Sequence, residues 1–215
     1  MSIQNRLDRI VALSAVAATG ATVGFTQNAE AAIVSSGIVN LNVPSTTSGI
    51  YLNVVTGVFA TTPGGASGWD LNPWSSSGLS IWANNAASPQ DGVVSGGGSS
   101  ATLVDNLALG TLVDGSSVYA RTGGVETTGS TAFALNSSGN YIGFRFTNEA
   151  NGNSIHFGWA RFSIAGTLAG QPRTLVEYAY EDQAGVGINV GAVPTPGTAA
   201  LLALGAVGMA GRRRK

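Results

Sequence analysis

Between Tyr141 and Tyr180 large apolar residues recur at every second position through three successive stretches. That period suits a pleated strand and no amphipathic helix. In Tyr141-Ile142-Gly143-Phe144-Arg145-Phe146, the side chains of Ile142, Phe144 and Phe146 fall on one side and Tyr141, Gly143 and Arg145 on the other. The turn-forming Asn151-Gly152-Asn153 follows, so a hairpin with a loop longer than two residues is expected before the second stretch, Ile155 to Ile164. Thr174 to Tyr180 makes a third strand, with Val176, Tyr178 and Tyr180 expected on one face. Three neighbouring strands with aromatic faces need a second sheet to cover them. The expected class is all-β: a jelly-roll-like β-sandwich, preceded by a signal helix and followed by a short hydrophobic helix.

Glycine fits this class, at 31 of the 215 residues, about twice the usual ~7 %. With an apolar fraction of 44 %, the composition points to many tight turns rather than to disorder. Val39, Leu41 and Val43 alternate with asparagines and stop at Pro44; Gly49 to Phe59 reads as a buried central strand. A loop is expected from Thr61 to Gly78, short strands at Leu79–Ala83 and Ala101–Val104, and a surface loop at Ser95–Ser100. Thr102-Leu103-Val104-Asp105 recurs as Thr111-Leu112-Val113-Asp114. Two copies without a glycine–aspartate framework are chance or a local hairpin, not a calcium-binding repeat.

The two ends obey different rules. Arg6 and Arg9 precede the apolar stretch Ile10–Phe25, and Ala29-Glu30-Ala31 places small residues where a signal peptidase reads them, so cleavage before Ala32 is expected. At the other end Val193-Pro194-Thr195-Pro196-Gly197 leads into the apolar run 198–211 and then Arg212, Arg213, Arg214 and Lys215, four of the ten basic residues of the chain. The prolines keep the approach extended, and the basic end holds the tail on the cytoplasmic side. At about 14 residues the run falls short of the roughly 17–25 of a settled span, so it suits a transient membrane hold that presents the proline segment for processing. Three parts follow: a signal peptide (1–31), a β-sandwich domain (32–192) and a sorting tail (193–215).

That tail resembles the PEP-CTERM sorting signal of exported bacterial proteins, with Thr195 where the family name has glutamate. The resemblance implies processing by an exosortase-like membrane enzyme and association with extracellular polysaccharide or biofilm. The Tyr141–Gly191 stretch also resembles the C-terminal half of exported bacterial proteins that carry such tails, and it implies no activity.

Between the ends, four arginines (Arg121, Arg145, Arg161, Arg173) stand against nine acids, a net charge of −5. Without lysine or a basic cluster, nucleic-acid binding is not expected. The absence of cysteine removes thiolate catalysis, and the single histidine, His156, removes multi-histidine zinc chemistry. No cofactor is expected. Arg145, His156, Trp159, Arg161, Glu177 and Glu181 contain the residue types for acid–base work. Their spacing fits cross-strand pairing better, with Arg145 and Arg161 meeting Glu177 or Glu149 and Trp159 packed in the core or over an arginine stem.

The remaining cluster is Trp69, Trp74 and Trp82, in or beside a loop with Asp70, Asn72, Asn84 and Asn85. Exposed indoles with neighbouring amides suit sugar rings, and Asp70 with Asp91 offers oxygen ligands for calcium. The reading that weighs more is that the indoles plug one end of the sandwich beneath a long loop, because large aromatics usually bury themselves. The expectation is thus an exported, non-enzymatic structural or adhesive protein of the cell surface or matrix. A carbohydrate-binding module comes second and a glycoside-active enzyme third.

Overall fold

The computed structural model describes residues 32–84, 91–96 and 103–194. In chain order its strands are β1 (Ile33–Ser35), β2 (Leu41–Asn42), β3 (Tyr51–Leu52), β4 (Phe59–Ala60), β5 (Leu71–Trp74), β6 (Ser80–Ala83), β7 (Gly92–Val94), β8 (Leu112–Val113), β9 (Tyr119–Ala120), β10 (Thr122–Gly124), β11 (Ser137–Asn148), β12 (Ser154–Ile164), β13 (Arg173–Glu181) and β14 (Ile188–Asn189). The fold is all-β. A seven-stranded sheet runs β1-β13-β12-β11-β7-β9 with β2 also on β13, a five-stranded sheet runs β10-β6-β5-β3-β4, and β14 pairs with β8. Every strand pairing is antiparallel. The expected helices of the two ends lie outside the described residues, and among those described no helix is long and apolar enough to cross a membrane.

The two larger sheets share one core. Ile142, Phe144 and Phe146 of β11, Ala160, Phe162 and Ile164 of β12, and Leu175, Tyr178 and Tyr180 of β13 meet Leu52, Leu71, Ile81 and Ala83 from the five-stranded sheet. The opposite face of the seven-stranded sheet is covered too. Phe157, Trp159 and Ala179 pack under Val113, Ile188 and Val190, and Trp159 Nε1 donates to the Ala192 carbonyl at 3.0 Å. A Cβ at Gly143 would stand 2.7 Å from methyls of both Val113 and Val94. The glycine in the middle of the aromatic β11 stretch is therefore where the outer layer seats itself.

The β11–β12 hairpin forms as expected, with register Tyr141↔Arg161 to Asn148↔Ser154 and a loop of one 3₁₀ turn, Glu149–Asn151, followed by Gly152 and Asn153 in the left-handed region. β13 departs from the expected pattern. Its register on β12 passes from Arg161↔Glu177 to Phe162↔Leu175, leaving Val176 as the extra residue of a bulge. Leu175, not Val176, therefore joins Tyr178 and Tyr180 in the shared core. The displaced Val176 carbonyl accepts from both Val39 and Asn40 N–H groups.

Gly49–Phe59 is not one central strand. Asn53 Oδ1 accepts from the Val55 and Thr56 amides, and Gly57 has φ +72°, so the chain turns into the hairpin β3–β4 at the sheet edge. The expected loop Thr61–Gly78 contains β5, even though Pro73 lies within it. β3 pairs with β5 only at Leu52↔Leu71, so the missing proline donor leaves no ladder bond unmade on that side. Of the expected Ala101–Val104 strand, Ala101 and Thr102 lie outside the described residues, and Leu103 forms an isolated bridge to Gly124. Among their described residues, which leave out Thr102, the two Thr-Leu-Val-Asp copies do not pair with each other.

One buried cation closes the end of the two-sheet body. Arg173 is fully buried and spends its guanidinium on five backbone carbonyls: Val43 at 2.9 Å, Leu168 at 3.0 Å, Pro44 and Ser75 each at 2.6 Å, and Gly78. Burial pushes its pKa down. Lysine has three donors where arginine has five, so Arg173→Lys strands at least two carbonyls at roughly 1–3 kcal/mol each. Urea unfolding of Arg173→Lys should give a loss of about 2–6 kcal/mol. A midpoint within experimental error of the parent would show that the carbonyl cage does not hold the fold.

Candidate functional site

Alternation along β5 and β6 sorts their side chains. Leu71, Ile81 and Ala83 enter the shared core, whereas Trp74, Ser80 and Trp82 take the other face, with Asn72 opposite Trp82 and Trp74 opposite Ser80. Asn72 is buried beneath this face, where its amide donates to the Ser48 and Ile50 carbonyls, each at 2.7 Å. Those bonds hold the approach to β3 and with it Tyr51. The Tyr51 and Trp69 rings meet edge to face at 5.0 Å, and Trp69 and Trp82 do so at 5.7 Å. All four aromatics, Trp74 included, are half-buried, and none belongs to either core. The three sequence-predicted tryptophans thus form a continuous outer face with Tyr51 and do not plug the end of the body.

Arg121 completes the face. It is the single residue between β9, in the seven-stranded sheet, and β10, in the five-stranded sheet, and its carbonyl accepts from Ala83 N–H at 2.8 Å. Its guanidinium carbon stands 5.4 Å from the Trp82 ring centroid, a cation–π arrangement. Trp74, Trp82, Arg121 and Thr122 line a cavity of about 280 Å³. Trp74 Nε1 is buried without a hydrogen-bond partner. Sequence reasoning missed Tyr51, Arg121 and Thr122. Arg121 lies between strands, and only the sheet pairing Thr122↔Trp82 brings it and Thr122 beside the indoles.

The polar residues considered for acid–base chemistry are divided between the two faces of the seven-stranded sheet. His156 is fully buried on the shared-core side, its ring held by the Glu181 carbonyl at 2.8 Å and by Ser154 and Asn151, against Phe146 and Tyr180. Trp159 packs on the opposite face. Arg161 pairs with Glu177 at 2.7 Å, as the cross-strand account expects. Arg145 does not pair with Glu177 or Glu149. It lies over the Tyr119 ring at 4.3 Å.

Asp70 and Asp91 are both buried, and each is engaged separately. Asp70 accepts from Val54 N–H at 2.7 Å, and Asp91 from the Thr147 hydroxyl at 2.7 Å. Among the described residues no group of three or more histidines or acids converges to hold a metal ion. Beside them lies a second cavity, about 620 Å³, lined mainly by polar residues that include Asn53, Ser67, Asn84, Asn148 and Glu149. Asn53 has already spent both ends of its amide on the backbone of its own turn and on the Ser67 and Gly68 carbonyls.

Of the residues expected to direct processing, Ala32 is exposed, with its N–H donating to Asp182 Oδ1 at 3.0 Å, immediately before β1. Val193 and Pro194 are exposed beyond the outer layer. Ala29, Ala31, Thr195, Pro196, Gly197, the run 198–211, Arg212, Arg213, Arg214 and Lys215 lie outside the described residues. Comparisons with protein-family models, with curated proteins and with solved structures find no match to this chain.

Burial raises the Asp70 pKa to about 8 and that of Asp91 to about 6, with Glu149 adding to both. Raised carboxyl pKa values mean that the folded chain holds protons that the unfolded chain has released. Their stabilisation is complete below about pH 4 and is lost as pH rises through 6 and 8. Thermal unfolding should therefore occur at lower temperature at pH 8 than at pH 5. Asp70→Asn keeps an acceptor for Val54 and should flatten that slope. A steeper or unchanged slope in the variant would refute the assignment.

Proposed function

We propose that this chain is an exported, non-enzymatic protein of the cell surface or extracellular matrix, whose body is a jelly-roll-like β-sandwich that adheres to polysaccharide through its aromatic face. A signal peptidase cuts before Ala32, and an exosortase-like enzyme reads the PEP-CTERM-like tail while its apolar run is held briefly in the membrane. The observation that carries the adhesive reading is the placement of Tyr51, Trp69, Trp74 and Trp82 outside both cores, half-exposed and contiguous. Indoles normally bury themselves, and a patch of them kept at the surface marks a contact site. Sugar rings match it because their C–H faces stack on indole while their hydroxyls take polar neighbours. The shared core of the two sheets supports the sandwich reading.

The placement of the ends supports export. β1 begins one residue after the expected cut, so removal of the leader leaves its whole ladder with β13 intact. Mass spectrometry of the protein from its native host should return an N-terminus at Ala32 and a C-terminus near Pro196. Full-length protein in the cytoplasm would overturn the export reading.

The adhesive face has its own test. On an array of neutral and uronate polysaccharides, Trp82→Ala and Trp69→Ala should each reduce retention about tenfold, the loss of one stacking contact. Unchanged retention alongside a lowered melting temperature would make the face a packing device instead.

A further inference from the structure

Resting on the glycan reading of the aromatic face, we infer that the cavity between Trp74 and Trp82 selects a sugar bearing a carboxylate, a uronic acid residue, with Arg121 as its specificity-determining residue. The four arginines of the described body have different fates. Arg173 is spent on five carbonyls, Arg161 is paired with Glu177, and Arg145 is half-buried over Tyr119. Arg121 is exposed and, among the described residues, has no carboxylate within ion-pair distance. It also lines a cavity, together with two indoles and Thr122.

The chemistry of that wall is specific. A guanidinium offers a planar fork of N–H donors that matches a carboxylate in two parallel hydrogen bonds. The guanidinium stands over the Trp82 ring, its carbon 5.4 Å from the ring centroid, which holds the fork at the cavity wall that Trp74 shares. Trp74, whose Nε1 is buried without a hydrogen-bond partner, belongs to the same wall. The backbone on which Arg121 stands is fixed, because this one residue spans the passage from β9 to β10 and its carbonyl is bonded to Ala83.

The rest of the body works against a general affinity for polyanions. With four arginines against nine acids over residues 32–192, its field repels negative charge at long range. Only a short-range contact made by one residue can favour an acidic sugar here. A single uronate unit seated on the indoles makes that contact.

The test uses the full protein, a hexamer of galacturonic acid and the same hexamer fully methyl-esterified, which has the same rings without the charge. Calorimetric titration should show the acid form bound at least tenfold more tightly than the ester, the range of one charged hydrogen-bonded contact. Arg121→Gln should erase that difference, the acid form falling to the affinity of the ester for the same variant. Arg121→Lys, which keeps the charge and loses the fork, should fall between. Trp82→Ala should weaken both oligomers alike. Equal affinities for the two hexamers, or a preference that survives Arg121→Gln, would overturn the selectivity and leave the glycan reading standing. If neither hexamer binds and Trp82→Ala alters retention on no polysaccharide of the array, the glycan reading falls with it.

Discussion

The body depends on a cation without a counterion. Arg173 begins β13, the strand that pairs with β1, β2 and β12, and its five donors reach carbonyls of three separate segments, near residues 43–44, 75–78 and 168. Two of those segments flank strands of different sheets, so one side chain fixes where the sheets close on each other. A buried guanidinium is tolerable because five carbonyl dipoles point at it and none of its N–H groups is left over. Against this the half-exposed Arg161–Glu177 pair is minor, worth up to about 1 kcal/mol. Phe144, Phe146 and Phe162, wholly buried, contribute roughly 1.5–3 kcal/mol each. The apolar core supplies most of the stability, and Arg173 supplies the closure.

The three long strands were legible because their period is local. Tyr141–Phe146, Ile155–Ile164 and Thr174–Tyr180 each carry enough alternation to name the strand, and Asn151-Gly152 names the turn. The second layer was not legible in the same way. Tyr141, Phe157 and Trp159 look like the partly exposed face of an ordinary sheet, yet they are covered by short strands β8 and β14, of two residues each, whose sequences carry no period. Gly143 hints at that layer, since a residue with no side chain within an aromatic strand marks a close approach. The bulge at Val176 was invisible for another reason. A single inserted residue shifts the alternation without changing the composition, and only pairing with β12 shows where the shift occurs.

Short strands also account for the misread middle of the chain. Gly49–Phe59 is rich in β-branched and aliphatic residues, and propensity alone makes it one strand. Asn53 decides otherwise by capturing two successive amides with its side chain, a competition between side chain and ladder that a propensity scale averages away. At the candidate site the tryptophans were legible as residues but not as a surface. Whether Trp69, Trp74 and Trp82 point inward or outward is a matter of register, and a shift of one residue reverses it. Arg121 was harder still, because its position follows from the chain leaving one sheet and entering the other across a single residue.

That crossing connects the fold to its proposed work. A chain passing between sheets in one residue has little freedom in where it puts the next side chain, and the Thr122↔Trp82 pairing removes what remains. The loop arginine is thereby held on the same face as two indoles that belong to the sheet. Rigid aromatic walls with one fixed donor group lose little entropy when a ligand arrives, so a small contact area can still discriminate. An outer face of this composition has an evident cost in water, since exposed indoles invite self-association. The charge balance offsets it. With nine acids against four arginines, the net negative charge sets neighbouring copies to repel one another, and on the proposed reading the aromatic face is left for uncharged rings and, beside Arg121, for a carboxylate.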